Sequence, residues 1–157
     1  MKILITILAI GVTIPLFAQE KLLKATAEES SDRKICLYPS TLRMANLNRN
    51  ESLDEIVNSL NKVLIYTYSD PDAIDLFDDT FSDYKRVGFE EYVSVYGGQQ
   101  AITILGKEND AYVGFFANDR QQMAFYIDGT IKWEKIPTLV QTFESNQLIN
   151  FFDIELP

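Results

Sequence analysis

Apolar positions change their spacing several times along this chain, and each change marks an element. Residues 3–17 are almost continuously apolar, interrupted only by Thr6, Gly11, Thr13 and Pro15. Residues 20–35 are polar, rich in Glu, Lys and Ser, and carry no sustained apolar stripe, which predicts a flexible lead-in. Residues 36–38 are apolar, Pro39 interrupts, and 41–47 reads as an edge strand or irregular extended segment. Ser52 and Glu55 have capping-box spacing, and Leu53, Ile56, Val57 and Leu60 form a helical stripe behind them. Residues 63–68 are dense in β-branched and aromatic side chains and predict a strand. Asp70 as N-cap and Pro71 at the first position open a second helix. Its apolar face holds Ile74, Phe77, Phe81 and Tyr84, with Lys85 and Arg86 in the last turn and Gly88 as the stop.

Four strands at 89–96, 99–105, 111–117 and 121–127 follow, separated by turn residues such as Gly97-Gly98 and Asn118-Asp119-Arg120. Such close spacing predicts an antiparallel meander. A last helix is expected near Pro137, presenting Leu139, Val140 and Phe143, with Phe151 and Phe152 packing as a tail. The order is β-α-β-α-β-β-β-β-α. It predicts an α+β domain with a single mixed, mostly antiparallel sheet and helices packed mainly on one face. The expected organisation is a signal peptide at 1–19, a flexible segment at 20–35 and one α+β domain at 36–157.

Lys2 ahead of the apolar run, and Ala18 at its end, have the form of a cleavable export signal. The cut is expected after Ala18 or Gln19. The run is shorter than the ~20 residues a membrane span requires and contains a proline, so no membrane insertion is expected after cleavage. No cysteine stands at the cut to carry a lipid. Export places the protein in the periplasm or outside the cell. Removal of Lys2 takes the net charge of −9 to −10, which argues against nucleic acid and anionic membranes as partners. A single cysteine allows no internal disulfide, and Cys36 reads as a small buried apolar group, with an intermolecular bridge as the alternative.

The chain contains no histidine. Histidine-based nucleophilic triads, acid–base catalysis and the usual zinc sites therefore have no residues to form them. One cysteine excludes thiolate clusters, and no glycine-rich phosphate loop is present, so no cofactor or metal is expected. Acids remain: Asp75, Asp79 and Asp83 recur every four residues and read as a solvated helix face rather than a calcium site. Glu90, Glu91, Glu134 and Glu144 are available to a glycosidase, but nothing in the sequence pairs them.

Tyrosines are the other candidates. Tyr66 and Tyr68 share one strand face, as do Tyr92, Ser94 and Tyr96 on theirs, so an aromatic surface for a partner is expected if helices cover the opposite side. The plainer alternative is that the rings complete the core. Arg43 is a candidate anchor for a ligand carboxylate or phosphate, or else the partner of an internal acid. Trp133 is expected to pin the last helix to the sheet.

Tyr38-Pro39-Ser40-Thr41-Leu42-Arg43-Met44, Gly88-Phe89-Glu90-Glu91-Tyr92 and Gly129-Thr130-Ile131-Lys132-Trp133 with Ile136-Pro137 resemble an exported family of the Bacteroidetes, the domain of unknown function 4252. The resemblance spans about residues 36–152. It implies a Gram-negative envelope location and no activity, cofactor or catalytic residue. Relatives of this kind include lipoproteins, and the absence of a cysteine at the cleavage point departs from that pattern. Together these features lead to a non-catalytic module that binds an envelope protein, a peptide or a glycan. A carboxylate-dependent hydrolase of glycans or peptidoglycan is the alternative, and a small-ligand carrier is a third.

Overall fold

The computed structural model describes residues 16–28, 30–46, 51–70, 75, 77–97, 100–118 and 122–139. The expected signal run before residue 16 and the expected Val140, Phe143, Phe151 and Phe152 lie outside them. The elements are α1 (Leu16–Ala27), β1 (Arg33–Leu37), α2 (Pro39–Ala45), α3 (Glu51–Ser59), β2 (Leu60–Tyr68), α4 (Asp78–Arg86), β3 (Glu90–Gly97), β4 (Gln100–Lys107), β5 (Ala111–Asn118) and β6 (Gln122–Gly129). A 3-10 turn at Trp133–Lys135 follows, and residues 136–139 are helical, as Pro137 predicts. No helix among the described residues is long and apolar enough to cross a membrane.

The strands form one six-stranded sheet in the order β1-β2-β6-β5-β4-β3, and every neighbouring pair is antiparallel. β3 to β6 is the predicted meander. The hairpin of β1 and β2 joins it alongside β6, which leaves β1 and β3 as the two edges. The α+β class is as expected. The expected arrangement put helices mainly on one face, whereas the structure divides them between both.

On the first face, Leu42 of α2 and Leu53, Ile56 and Val57 of α3 pack with Val63, Ile65, Phe116, Phe125 and Ile127. On the second, Leu23 and Ala27 of α1 and Phe81 and Tyr84 of α4 pack with Tyr66, Leu105, Phe115 and Tyr126. Alternation along β2 and β6 supplies both layers, because neighbouring residues point to opposite sides of the pleat.

Three local expectations are corrected. Residues 20–35, expected as a flexible lead-in, carry most of α1 and the start of β1, with Leu23 and Ala27 fully buried. Among its described side chains only Leu23 and Ala27 are fully buried, with Leu22 partly so, a short run rather than a sustained stripe. Residues 41–45, expected to be extended, are helical: Pro39 occupies the first turn of α2, where its missing N–H costs nothing. The helix expected from Asp70 and Pro71 begins at Asp78, with residues 71–74 outside the described set. Its end is as predicted. Gly88 takes φ 93°, and the amides of Val87, Gly88 and Phe89 donate to carbonyls of the last turn.

Candidate functional site

The five candidate residues do not form one site. β2 lies between β1 and β6, and both of its faces are covered. Tyr66 is therefore fully buried and Tyr68 almost so, correcting the expectation of an open tyrosine surface there. The Tyr68 ring meets Phe77 edge-on at 5.6 Å and tilts against Phe115 at 6.5 Å. Its hydroxyl is buried without a hydrogen-bond partner among the described residues. Burial pushes its ionisation well above the ordinary tyrosine range.

Tyr92 and Tyr96 are exposed, but they stand on opposite faces. The ladder pairs Glu91 with Leu105 and Val93 with Ile104, so one extra residue is accommodated between them. This bulge carries Tyr92 out of alternation with Ser94 and Tyr96. The Tyr92 ring reaches the α3 face, 5.9 Å from Tyr112 and 6.3 Å from Trp133, nearly parallel to the latter at 8°. Gly106 makes this possible: a Cβ there would lie 2.4 Å from the Tyr92 ring and 2.7 Å from the Tyr112 ring. Tyr96 remains on the α4 face, its hydroxyl 2.8 Å from that of Thr103 across the strand pair.

Arg43 lies at the other side of the sheet. It is on a helix, and its guanidinium donates to Asn58 Oδ1 at 2.9 Å, tying α2 to α3. Cys36, expected to be buried, is exposed on edge strand β1. Its hydrogen bond and charge interaction with Tyr38 hold that hydroxyl's ionisation above its ordinary value.

Acidic chemistry finds little support among the described residues. No group of three or more potential metal ligands gathers there. Asp83 accepts from Arg86 at 2.6 Å, and Glu91 accepts from Lys85 at 2.6 Å. A groove of about 210 Å³ between the end of α3 and the Thr130–Lys135 segment contains one carboxylate, Glu55, paired with Lys135 at 3.0 Å. A second, purely apolar slot between Tyr92, Trp133, Ile136 and Pro137 holds only about 10 Å³, room for no more than a single water. Glycoside hydrolysis requires two acids facing each other across a cleft, and neither groove supplies them.

What the fold does present is β3 itself. Its side chains are exposed along almost its whole length, with Val95 50% and Tyr96 63% accessible. Edge strands are ordinarily protected from pairing by charges, prolines or bulges. β1 carries Arg33 and Lys34. β3 has Glu90, Glu91 and the bulge at its start, but Val93-Ser94-Val95-Tyr96-Gly97 has neither charge nor proline. Among the described residues that five-residue run is an open backbone edge, flanked by the Tyr92–Trp133 pair. The sequence pattern singled out Tyr92 and Tyr96 of β3 but not the edge. Strand order decides which strand lies outermost, and it depends on the distant insertion of β1 and β2 beside β6.

A family model described as a domain of unknown function, DUF4252, matches residues 30–139, and the chain belongs to that family. No curated protein and no solved structure matches the chain.

Proposed function

We propose that this DUF4252 member is an exported, non-catalytic interaction module that recruits an extended protein segment to the free edge of β3. The supporting observation is the exposed, uncharged run Val93-Ser94-Val95-Tyr96-Gly97 on an edge strand. An added strand satisfies the outward-pointing N–H and C=O groups by main-chain hydrogen bonds, and side-chain contacts on alternate positions select the partner. Val93 and Val95 face the α3 side, Val93 beside Tyr92 and Trp133, and Ser94 and Tyr96 face the other. An incoming strand is therefore gripped on both of its faces. Export is supported by Lys2, the apolar run 3–17 and Ala18.

The test is a photoreactive amino acid at position 96, expressed in the native host, with position 40 on α2 as control. Strand addition requires protein adducts from position 96 and none from position 40. Equal labelling from both positions, or none from position 96, overturns the reading.

A further inference from the structure

Resting on that reading, we infer that the segment paired to β3 is β3 of a second copy of this chain, joined antiparallel about a two-fold axis at Val95. The bulge at Tyr92 ends regular pairing on one side, and the strand ends at Gly97 on the other. The regular run is therefore 93–97, and its midpoint is Val95. Two-fold antiparallel pairing about that midpoint sets Val95 against Val95 of the partner subunit. Val93 then meets Gly97 of the partner subunit, and Ser94 meets Tyr96 of the partner subunit. The Val93–Gly97 and Ser94–Tyr96 pairs set a larger side chain against a smaller one, one pair type on each face, and two equal valines meet at the axis, an arrangement compatible with a self-complementary interface.

Charge is arranged compatibly. Glu90 and Glu91 lie beyond the bulge, outside the paired run, so no two carboxylates are set opposite each other. The run itself is uncharged in a chain whose net charge is −9. A second copy always carries the order of residues that this register pairs, whereas a foreign strand need not. The product is one continuous twelve-stranded sheet made from two six-stranded halves. Because the two copies carry like net charge, association tightens as salt rises.

The full mature chain is examined by light scattering after size exclusion, and as Val95→Cys in a Cys36→Ser background. Directly opposed residues in antiparallel strands have Cα atoms about 4.5–5.5 Å apart, inside the range a disulfide spans. A mass of two chains is expected, together with rapid disulfide-linked dimer from Val95→Cys and little from Ser40→Cys in the same background. Val95→Lys is expected to yield a monomer with unchanged circular dichroism. If that variant unfolds, the cysteine result decides. A monomer at all concentrations, with Val95→Cys linking no faster than Ser40→Cys, overturns the inference. Should position 96 nevertheless label other proteins, strand addition stands and only the identity of the occupant is lost.

Discussion

The hydroxyl of Tyr84 accepts a hydrogen bond from the Leu23 amide at 3.2 Å, entering the backbone ladder of a helix 61 residues away in sequence. The same hydroxyl donates to the Gln19 carbonyl at 2.5 Å, the group that Leu23 N–H would otherwise reach within α1. Thr26 and Thr80 hydroxyls meet nearby at 2.5 Å, and Glu20 is ion-paired with Lys62. Together with the buried Leu23 and Ala27, these polar links position α1 over the sheet.

Tyr84→Phe keeps the ring and removes the bridge. The helix can reclose its own rung, so the loss is that of one buried hydrogen bond, about 1–2 kcal/mol. Urea denaturation measures it, and the Leu23 amide should exchange faster. Unchanged stability and exchange would show that α1 does not depend on the hydroxyl.

Processing bears on the same contact. A cut after Ala18 retains Gln19 and its carbonyl, whereas a cut after Gln19 removes the acceptor. Chains beginning at Gln19 should therefore melt at higher temperature than chains beginning at Glu20. Intact-mass measurement on protein from cells is expected to find one of these two starts, and a start at Met1 would refute export by this signal.

Gly106→Ala tests the corner beside β3. Tyr112 is fully buried and cannot yield, so the added methyl displaces Tyr92 from its place beside Trp133. The expected cost is about 1–3 kcal/mol, with Trp133 emission shifting to the red as the ring becomes wetter. An unaltered spectrum and melting curve would mean that the close approach at Gly106 is not maintained in solution.

Alkaline pH acts through the buried tyrosines. Burial, with lesser contributions from Tyr92, Glu134 and Asp110, pushes the Tyr112 hydroxyl up to about 12. Burial also raises Tyr68, Tyr84 and Tyr126. A raised value in the folded state means the native protein holds the proton more tightly than the unfolded chain. This stabilisation is complete below about pH 10, the ordinary tyrosine value, and is lost as pH climbs toward 12. Tyrosinate absorbance should rise late and together with loss of circular dichroism. Full ionisation of every tyrosine with the fold intact would contradict the burial.

Much of the fold was legible because its signals are local. The meander from β3 to β6 follows from alternation punctuated by turn residues, and the α4 face from Phe77, Phe81 and Tyr84. The site was less legible. Val63-Leu64-Ile65-Tyr66 is apolar at every position, so no alternation distinguishes a strand covered on both sides from one with an open face. The bulge that separates Tyr92 from Tyr96 leaves no mark in the residue pattern, since both arrangements use the same amino acids. Pro39 fits an interrupted strand and the first turn of a helix equally well, and packing of Leu42 against the sheet selects the helix.

Backbone hydrogen exchange at β3, followed across a dilution series, tests the role of this edge most directly. Pairing with a second copy requires that amides of 93–97 gain protection as concentration rises, while those of β1 at the opposite edge do not change. Identical exchange of 93–97 at every concentration, or an equal response from β1, would contradict it.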